Sequence, residues 1–273
     1  MTWNEAVPAS LPPASAGHRI LGVLRVGAIA GTTLVLGVVF ICARLLRGLF
    51  GRRIGLHVPI VRVWARACVW LIGMRCEIRG TPVASGALVA NHCSWSDIVV
   101  LRSICPVCFV SKADVAGWPG IGFLAGMADT VFIERRRVEA KRQEAVLRER
   151  IAADDLLCFF PEGTSTDGLR VLPFKSSLFS AFFTDAPAGE VWVQPVSIRY
   201  RAAEGSALPE DFFGWWGAMS FGGHLLSVME RSFGSRVVVA FHDPVRPADF
   251  ADRKVLADHC RSIVAEGHSA AAR

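Results

Sequence analysis

An α/β fold, with a mixed sheet flanked by helices behind an N-terminal membrane-attached helical segment, is predicted by three observations. Beyond residue 80 short apolar runs alternate with polar or amphipathic stretches, the texture of strands and helices in turn. Residues 26–43 carry no charged side chain, a run of about 27 Å at the helical rise and close to the hydrocarbon thickness of a bilayer. The 273-residue chain is 52% hydrophobic with a mean hydropathy of +0.39, high for a domain that meets only water. The expected division is therefore membrane-associated helices over 1–80 and an α/β domain over 81–273.

The first helix either spans the bilayer or lies in one leaflet. Residues 1–80 hold ten arginines against Glu5 and Glu77, a charge of +8 beside a chain total of +6, so the remainder is at −2. Anionic headgroups attract such a collar, and Arg44, Arg47, Arg52 and Arg53 set that end on the cytoplasmic side. A cleaved signal peptide fits poorly, because the run is longer than a usual apolar core of such a peptide and arginines follow where small residues should stand. Residues 57–74 read as a second helix with Val61, Trp64, Cys68 and Leu71 on one stripe. It is either an interfacial partner helix or an ordinary core helix.

Strands are expected at 86–90, 107–110, 130–133, 156–160, 191–198 and 236–241, with helices near 96–104, 137–153, 175–184 and 249–266. Between the last two strands, residues 208–230 are aromatic and glycine-rich; Phe212, Phe213, Trp215 and Trp216 line a lipid pocket, touch the interface or pack on the core. Eight scattered cysteines, several inside apolar runs, read as reduced, buried thiols. Cys105 and Cys108 form one CxxC pair with no second pair or histidine cluster to complete a metal site, so no metal is expected. The arginines flank apolar residues and form no separate basic face, which argues against nucleic acid as a partner.

The chemistry is concentrated at two strand ends. After the apolar run to Ala90 stands "NHCSWSD", with His92 and Asp97 five residues apart. Seven His and twelve Asp in 273 residues produce this spacing about 0.3 times by chance, so spacing alone is weak. In a continuous helix the pair would sit some 140° apart, and in a strand on opposite faces. They meet only if the backbone breaks between them, as it does when Asn91 to Ser94 form a loop and Ser94 or Ser96 caps a helix beginning near Asp97. Asp97 then holds the imidazole's tautomer and leaves the other nitrogen to take a proton from a hydroxyl. A capping Asp beside a surface His is the bland alternative. "CFFPEGTSTDG", residues 158–168, tips the balance: a second apolar strand ends in a polar loop with a carboxylate, backbone N–H groups and a hydroxyl.

Taken in order, "NHCSWSD", "VFIERR", "FFPEGTSTDG" and "VQPVSI" resemble the four sequence blocks of the glycerolipid acyltransferases, the 1-acylglycerol-3-phosphate O-acyltransferase family. The blocks span residues 91–198. The resemblance implies a membrane-attached helical pair and an α/β catalytic domain that moves a fatty acyl chain from acyl carrier protein or acyl-CoA to a lysolipid hydroxyl. No bound cofactor is implied, since the thioester is a substrate. His92 would be the general base and Asp97 its orienter, with no acyl-enzyme; Cys93 points away from His92 in an extended loop. Arg135 matches the arginine that contacts the acceptor headgroup, and Arg136 and Arg137 extend its positive charge. Glu162 and Gly163, with Thr164, would bind the acceptor or shape the site, the plain reading of Glu162 being a turn-stabilising carboxylate. Pro195 would shape the donor side; otherwise it is a strand-edge or bulge proline. The implied location is the cytoplasmic face of a bacterial inner membrane.

Ser165 stands where the third block usually has arginine, while Lys175, in "PFKSSLF", occupies a position where the family tends to carry lysine. The leading expectation is acylation of 1-acylglycerol-3-phosphate to phosphatidic acid. The missing guanidinium opens an alternative acceptor without phosphate, a lyso-ornithine lipid, and "FPEGTSTDG" with "KSSLF" is similar to bacterial members of that kind. Further alternatives are a non-catalytic lipid-binding module, a hydrolase using the same pair, and a thiol redox protein built on Cys105 and Cys108.

Overall fold

The computed structural model describes residues 3–50, 57–113, 117, 130–133, 140–183 and 191–272. Two helices lead, α1 (Ala16–Phe50) and α2 (His57–Ile72). They are followed by β1 (Arg75–Arg79), β2 (Gly86–Ala90), α3 (Ser96–Ile104), β3 (Cys108–Lys112), β4 (Val131–Ile133), α4 (Ala140–Ala152) and β5 (Leu156–Phe159). A 3₁₀ helix (Ser176–Phe182), β6 (Val193–Arg201), α5 (Phe221–Arg231), β7 (Arg236–Phe241) and α6 (Arg253–Ala270) complete the order.

The strands form one mixed sheet in the order β1-β7-β6-β2-β5-β3-β4. β6 and β7 run antiparallel, and every other neighbouring pair is parallel. The central strands β2 and β5 are buried along their whole length. Both faces are covered, as an apolar parallel sheet requires. On one side α2, α3 and α5 pack with Leu88, Val100, Leu101, Val196, Ile198 and Met229; on the other α4, α6 and the 3₁₀ helix pack with Val89, Leu157, Phe159, Phe179 and Leu256.

All six expected strands are present, and two elements were not expected. β1, with the sequence RCEIR, is an edge strand whose charges hide it from a hydrophobic pattern. It lies before the division expected at residue 80 and yet belongs to the sheet. α5 hides in the aromatic, glycine-rich stretch; Ser220 caps it by accepting from the Gly223 N–H. The helix expected near 175–184 is a 3₁₀ helix, in which Phe179 and Phe182, three residues apart, eclipse and bury together. Arg135, Arg136 and Arg137 of the site, and Arg52 and Arg53 of the basic collar, lie outside the described residues.

α1 is long and apolar enough to cross a membrane. One stripe of it packs on the rest of the chain. Arg25 donates to the Met229 carbonyl of α5 at 2.8 Å, the Trp64 indole of α2 donates to Thr33 Oγ1 at 2.9 Å, and Phe40 and Val61 bury against each other. α2 in turn reaches α3: Arg66 donates to the Ser103 carbonyl at 3.1 Å and Arg62 to the Ile104 carbonyl, so two cations close the carbonyl end of α3. With Ala65, Cys68, Val69 and Ile72 buried and Val63 and Trp70 exposed, α2 is a core helix on one face and an open apolar surface on the other.

The carboxyl ends of β2 and β5 are neighbours, so the two reactive-looking loops converge, as ligand sites in open α/β sheets do. Asn91, just past β2, fixes this corner. Its amide donates to the Ile198 carbonyl at 2.9 Å and accepts from the Ile198 N–H at 2.8 Å, completing the ladder where β2 has ended. Replacing Asn91 by Ala leaves both buried groups of Ile198 without partners, and a loss of roughly 2–4 kcal/mol is expected. Thermal unfolding in detergent checks it, with Asn91→Asp, which keeps only the acceptor, falling between.

Candidate active site

His92 and Asp97 meet because the chain turns between them. Asp97 is fully buried in the first turn of α3, and its Oδ2 lies 2.7 Å from His92 Nδ1. The same oxygen accepts the N–H groups of Cys93 at 2.9 Å and Ser94 at 3.0 Å. Asp97 thus binds the loop before α3, and no serine caps the helix firmly: Trp95 holds the cap position with no side-chain bond, and Ser94 Oγ only accepts weakly from the Ser96 N–H at 3.4 Å. Asp97 Oδ1 accepts the Tyr200 hydroxyl at 2.8 Å.

The His92 ring is one fifth exposed and stacks on Phe160 at 4.1 Å, nearly parallel. Because Asp97 accepts only, Nδ1 carries the shared proton and Nε2 is left as a lone-pair acceptor. This arrangement can draw a proton from a hydroxyl brought to Nε2. Cys93 beside it is sealed: burial, with the nearby charges of Asp97 and Glu162, pushes its thiol well above the ordinary value, so it supplies no thiolate nucleophile.

The second loop supports the first from below. Glu162 is buried, and its two oxygens accept the His92 N–H at 2.7 Å and the Leu172 N–H at 2.8 Å. Of the two roles expected for Glu162, the geometry shows the shaping one: it pins the backbone from which the imidazole projects. Thr166 adds a bond from its N–H to the His92 carbonyl at 3.0 Å. Gly163 takes a positive φ of 70°, the conformation that lets the chain turn back after Glu162. Thr164 Oγ1 accepts the N–H of Trp3 at 3.2 Å, so the N-terminal segment straps this loop, with Trp3 packed on Trp216 and under Arg170.

Ser165, at the position of the missing arginine, donates to the Trp215 carbonyl, while Trp215 donates its N–H to the Cys93 carbonyl at 2.7 Å. The aromatic segment is thus tied to both loops. Gly214 makes this approach possible, since a Cβ there would lie 2.8 Å from the Asp167 backbone. Phe212 and Phe213 are buried in the core, while Trp216 is buried against the N-terminal segment, on Trp3 and donating to the Ala6 carbonyl. Lys175 donates its backbone N–H to the Pro161 carbonyl at 2.9 Å and leaves its side chain exposed beside the loop.

Pro195 lies in β6 opposite Val89 of β2. On its other edge the register slips: Val196 pairs with Phe241, yet Val193 bridges Val245, so Gln194 and Pro195 face three residues. A proline with no N–H to donate is accommodated at this bulge. Cys105 and Cys108 pack in different clusters on opposite sides of the sheet, and burial pushes the Cys105 thiol up to about 12; a redox pair is not built there.

The residues missed by sequence reasoning are Tyr200, Trp3 and Gln194. Gln194 is buried and joins Val83, Thr81 and His242 through their backbones. The one available signal was that Tyr200 is the chain's single tyrosine, two residues after the block "VQPVSI".

Residues 79–199 match the family model described as Acyltransferase. The chain is 43% identical over 268 residues to the lyso-ornithine lipid O-acyltransferase of Rhodobacter capsulatus, covering 97% of this chain and 95% of that protein. It is 41% identical to the lyso-ornithine lipid O-acyltransferase of Brucella abortus over 62% of this chain and 66% of that one. It is 36% identical to the 1-acyl-sn-glycerol-3-phosphate acyltransferase of Neisseria gonorrhoeae over 42% and 45%. Among solved structures, the 1-acyl-sn-glycerophosphate acyltransferase of Thermotoga maritima shares the fold with a TM-score of 0.69, at 19% identity, over 92% of this chain and 95% of that one.

Burial pushes the Glu162 carboxyl up to about 8 despite the two N–H groups bonded to it, which favour ionisation. The unfolded chain releases this proton near the ordinary 4.5, so between those values the folded state holds more protons. Stability from this group is present at acidic pH and is lost as pH rises toward 8, at no more than about 1.4 kcal/mol per unit. Glu162→Gln flattens that slope in a chemical denaturation series from pH 5 to pH 8; an equally steep slope in the variant contradicts the assignment.

Proposed function

The chain belongs to the acyltransferase family, and from that premise we propose that His92 is the general base in transfer of a fatty acyl group from a thioester to the free hydroxyl of a lysolipid. The observation that carries this is the 2.7 Å bond from His92 Nδ1 to a buried Asp97, in a ring that is partly exposed. The acceptor hydroxyl gives its proton to Nε2 while its oxygen attacks the thioester carbonyl carbon. The tetrahedral oxyanion then collapses, the carbon–sulfur bond breaks, and the thiolate takes the proton back from the imidazolium. Asp97 stabilises the transient positive charge on His92. No acyl-enzyme is needed, in keeping with the sealed Cys93 thiol.

For the acceptor, the reading supported best is a lyso-ornithine lipid. Ser165 offers no positive charge and its hydroxyl is committed to Trp215, and a relative covering nearly the whole chain carries that activity in its name. The Neisseria relatives named for 1-acyl-sn-glycerol-3-phosphate support the phosphate acceptor, for which Arg135 and Lys175 would carry the anion contact. Gly163 and Thr164 shape the acceptor side and Pro195 the donor side. The donor is acyl carrier protein or CoA thioester, and no bound cofactor takes part.

The enzyme sits on a membrane by α1. Its packed stripe runs from Gly22 to Ala43 along the body of the protein, while Leu24, Leu34, Val38 and Ile41 face outward. A helix held lengthwise in this way favours seating in one leaflet. Arg44 and its basic neighbours favour the cytoplasmic face of a bacterial inner membrane.

The deciding assay offers detergent-solubilised protein lysophosphatidic acid and lyso-ornithine lipid side by side, each with acyl carrier protein and CoA thioesters. Acylation of the lyso-ornithine lipid is expected, and His92→Ala lowers it at least about 10³-fold. Equal activity in His92→Ala sinks the base assignment; acylation of lysophosphatidic acid alone reverses the acceptor. Cys93→Ala is expected to keep kcat within about threefold, since its thiol supplies no nucleophile and is only a long, weak donor to Asp97 Oδ1 at 3.6 Å.

A further inference from the structure

Tyr200 is bonded to the Asp97 carboxylate oxygen that neither His92 nor the backbone N–H groups of the loop serve. Asp97 Oδ2 already holds three donors: His92 Nδ1, the Cys93 N–H and the Ser94 N–H. Oδ1 holds the Tyr200 hydroxyl at 2.8 Å and, as a weak second, the Cys93 thiol at 3.6 Å. We propose that Tyr200 is a positioning residue for the acyl-transfer reaction, locking the Asp97 carboxylate in the rotamer that orients His92; the inference rests on the general-base reading of His92.

Three features make the tyrosine suited to this. β6 outruns β2: Ala90, the end of β2, pairs with Val196, and β6 continues to Arg201. The strand therefore carries its side chain past the sheet edge to the first turn of α3. The phenol ring stacks on Phe213 at 5.3 Å and 22°, so the aromatic segment fixes where the hydroxyl points. The proton direction is also fixed. A carboxylate only accepts, so Tyr200 donates to Asp97 and in turn accepts from Ser96 Oγ at 3.0 Å. The result is a directed chain of Ser96, Tyr200, Asp97 and His92. Burial and the neighbouring Asp97 and Cys93 hold the phenol well above its ordinary range, so it stays a donor throughout the working pH.

Without the hydroxyl, Oδ1 keeps only the thiol donor, and the carboxylate is held at Oδ2 alone, with more freedom to twist about its Cβ–Cγ bond. A donor to a charged group at this geometry corresponds to roughly a 10- to 100-fold loss of kcat in Tyr200→Phe, with the KM for lysolipid little changed because Tyr200 is buried away from substrate. The sign of the pH effect follows from charge. Removing a donor concentrates negative charge on Asp97 and favours protonated His92, so the acidic limb of the kcat/KM profile moves to higher pH. The titratable and charged groups facing this cluster are His92, Cys93 and Glu162 from the two loops, Cys158 from β5, and Arg199 from β6, which acts on Cys93; all stay in place in Tyr200→Phe.

The test uses full-length protein in detergent: wild type, Tyr200→Phe, Ser96→Ala and His92→Ala. Kinetics are accompanied by the low-field proton resonance of the His92 Nδ1–H, assigned by its loss in His92→Ala. Expected are a displaced resonance and a raised acidic limb in Tyr200→Phe, with a smaller displacement of the same sign in Ser96→Ala. An unchanged resonance, or a fall in kcat that follows a lower thermal midpoint with no movement of the limb, overturns the proposal. Because the resonance reads the pair without any acyl acceptor, an inactive wild type with a displaced resonance in Tyr200→Phe rejects the acyl-transfer reading and leaves the positioning network standing.

Discussion

A carboxylate taken wholly out of water is the constraint on which this site depends. Desolvation of an unpaired charge costs far more than any single contact returns, so Asp97 must be surrounded by donors or not be charged at all. The chain meets that demand from three directions. The loop before α3 brings two backbone N–H groups, β6 brings a phenol, and His92 brings the imidazole N–H. Each donor fixes an element. The loop cannot relax without unpairing Asp97, and β6 cannot shift its register without withdrawing Tyr200.

A second buried carboxylate carries the same logic one layer down. Glu162 grips the His92 N–H from the neighbouring strand's loop, and the Thr166 N–H grips the His92 carbonyl. The backbone of one residue is thus held on both sides while its ring rests on Phe160. Parallel pairing of β2 with β5 makes this possible, because it brings two carboxyl-terminal loops to the same edge. Such fixation before substrate arrives lowers the cost of reaching the reactive geometry.

How much of this was legible in the sequence divides along a physical line. Residues that must be polar at the end of an apolar strand stand out, so His92, Asp97 and the Glu162 loop were readable, as were the buried strands. Supporting residues do not stand out. Tyr200 looks like one more aromatic in a strand, and Phe213 like one of several aromatics in a segment that seemed suited to lipid. β1 was hidden because an edge strand with charges carries little apolar signal, and α5 because glycines weaken a helical pattern whose stability comes from packing on α1. Ser94 and Ser96 misled in the other direction: both suit a helix cap by type, yet Trp95 holds the cap position and Asp97 binds the N–H groups of the loop before it.

Ser165 joins the two loops of the site without touching its buried carboxylates. Where the resemblance leads to an arginine, Ser165 carries no charge and its hydroxyl holds the Trp215 carbonyl. Trp215 in turn donates its N–H to the Cys93 carbonyl, so the loop after β5 is tied to the His92 loop. None of the donors to Asp97 or Glu162 passes through this position. The tie between the loops and the bonds that orient His92 therefore sit on separable parts of one scaffold, so a change of side chain at residue 165 leaves every donor to Asp97 in place.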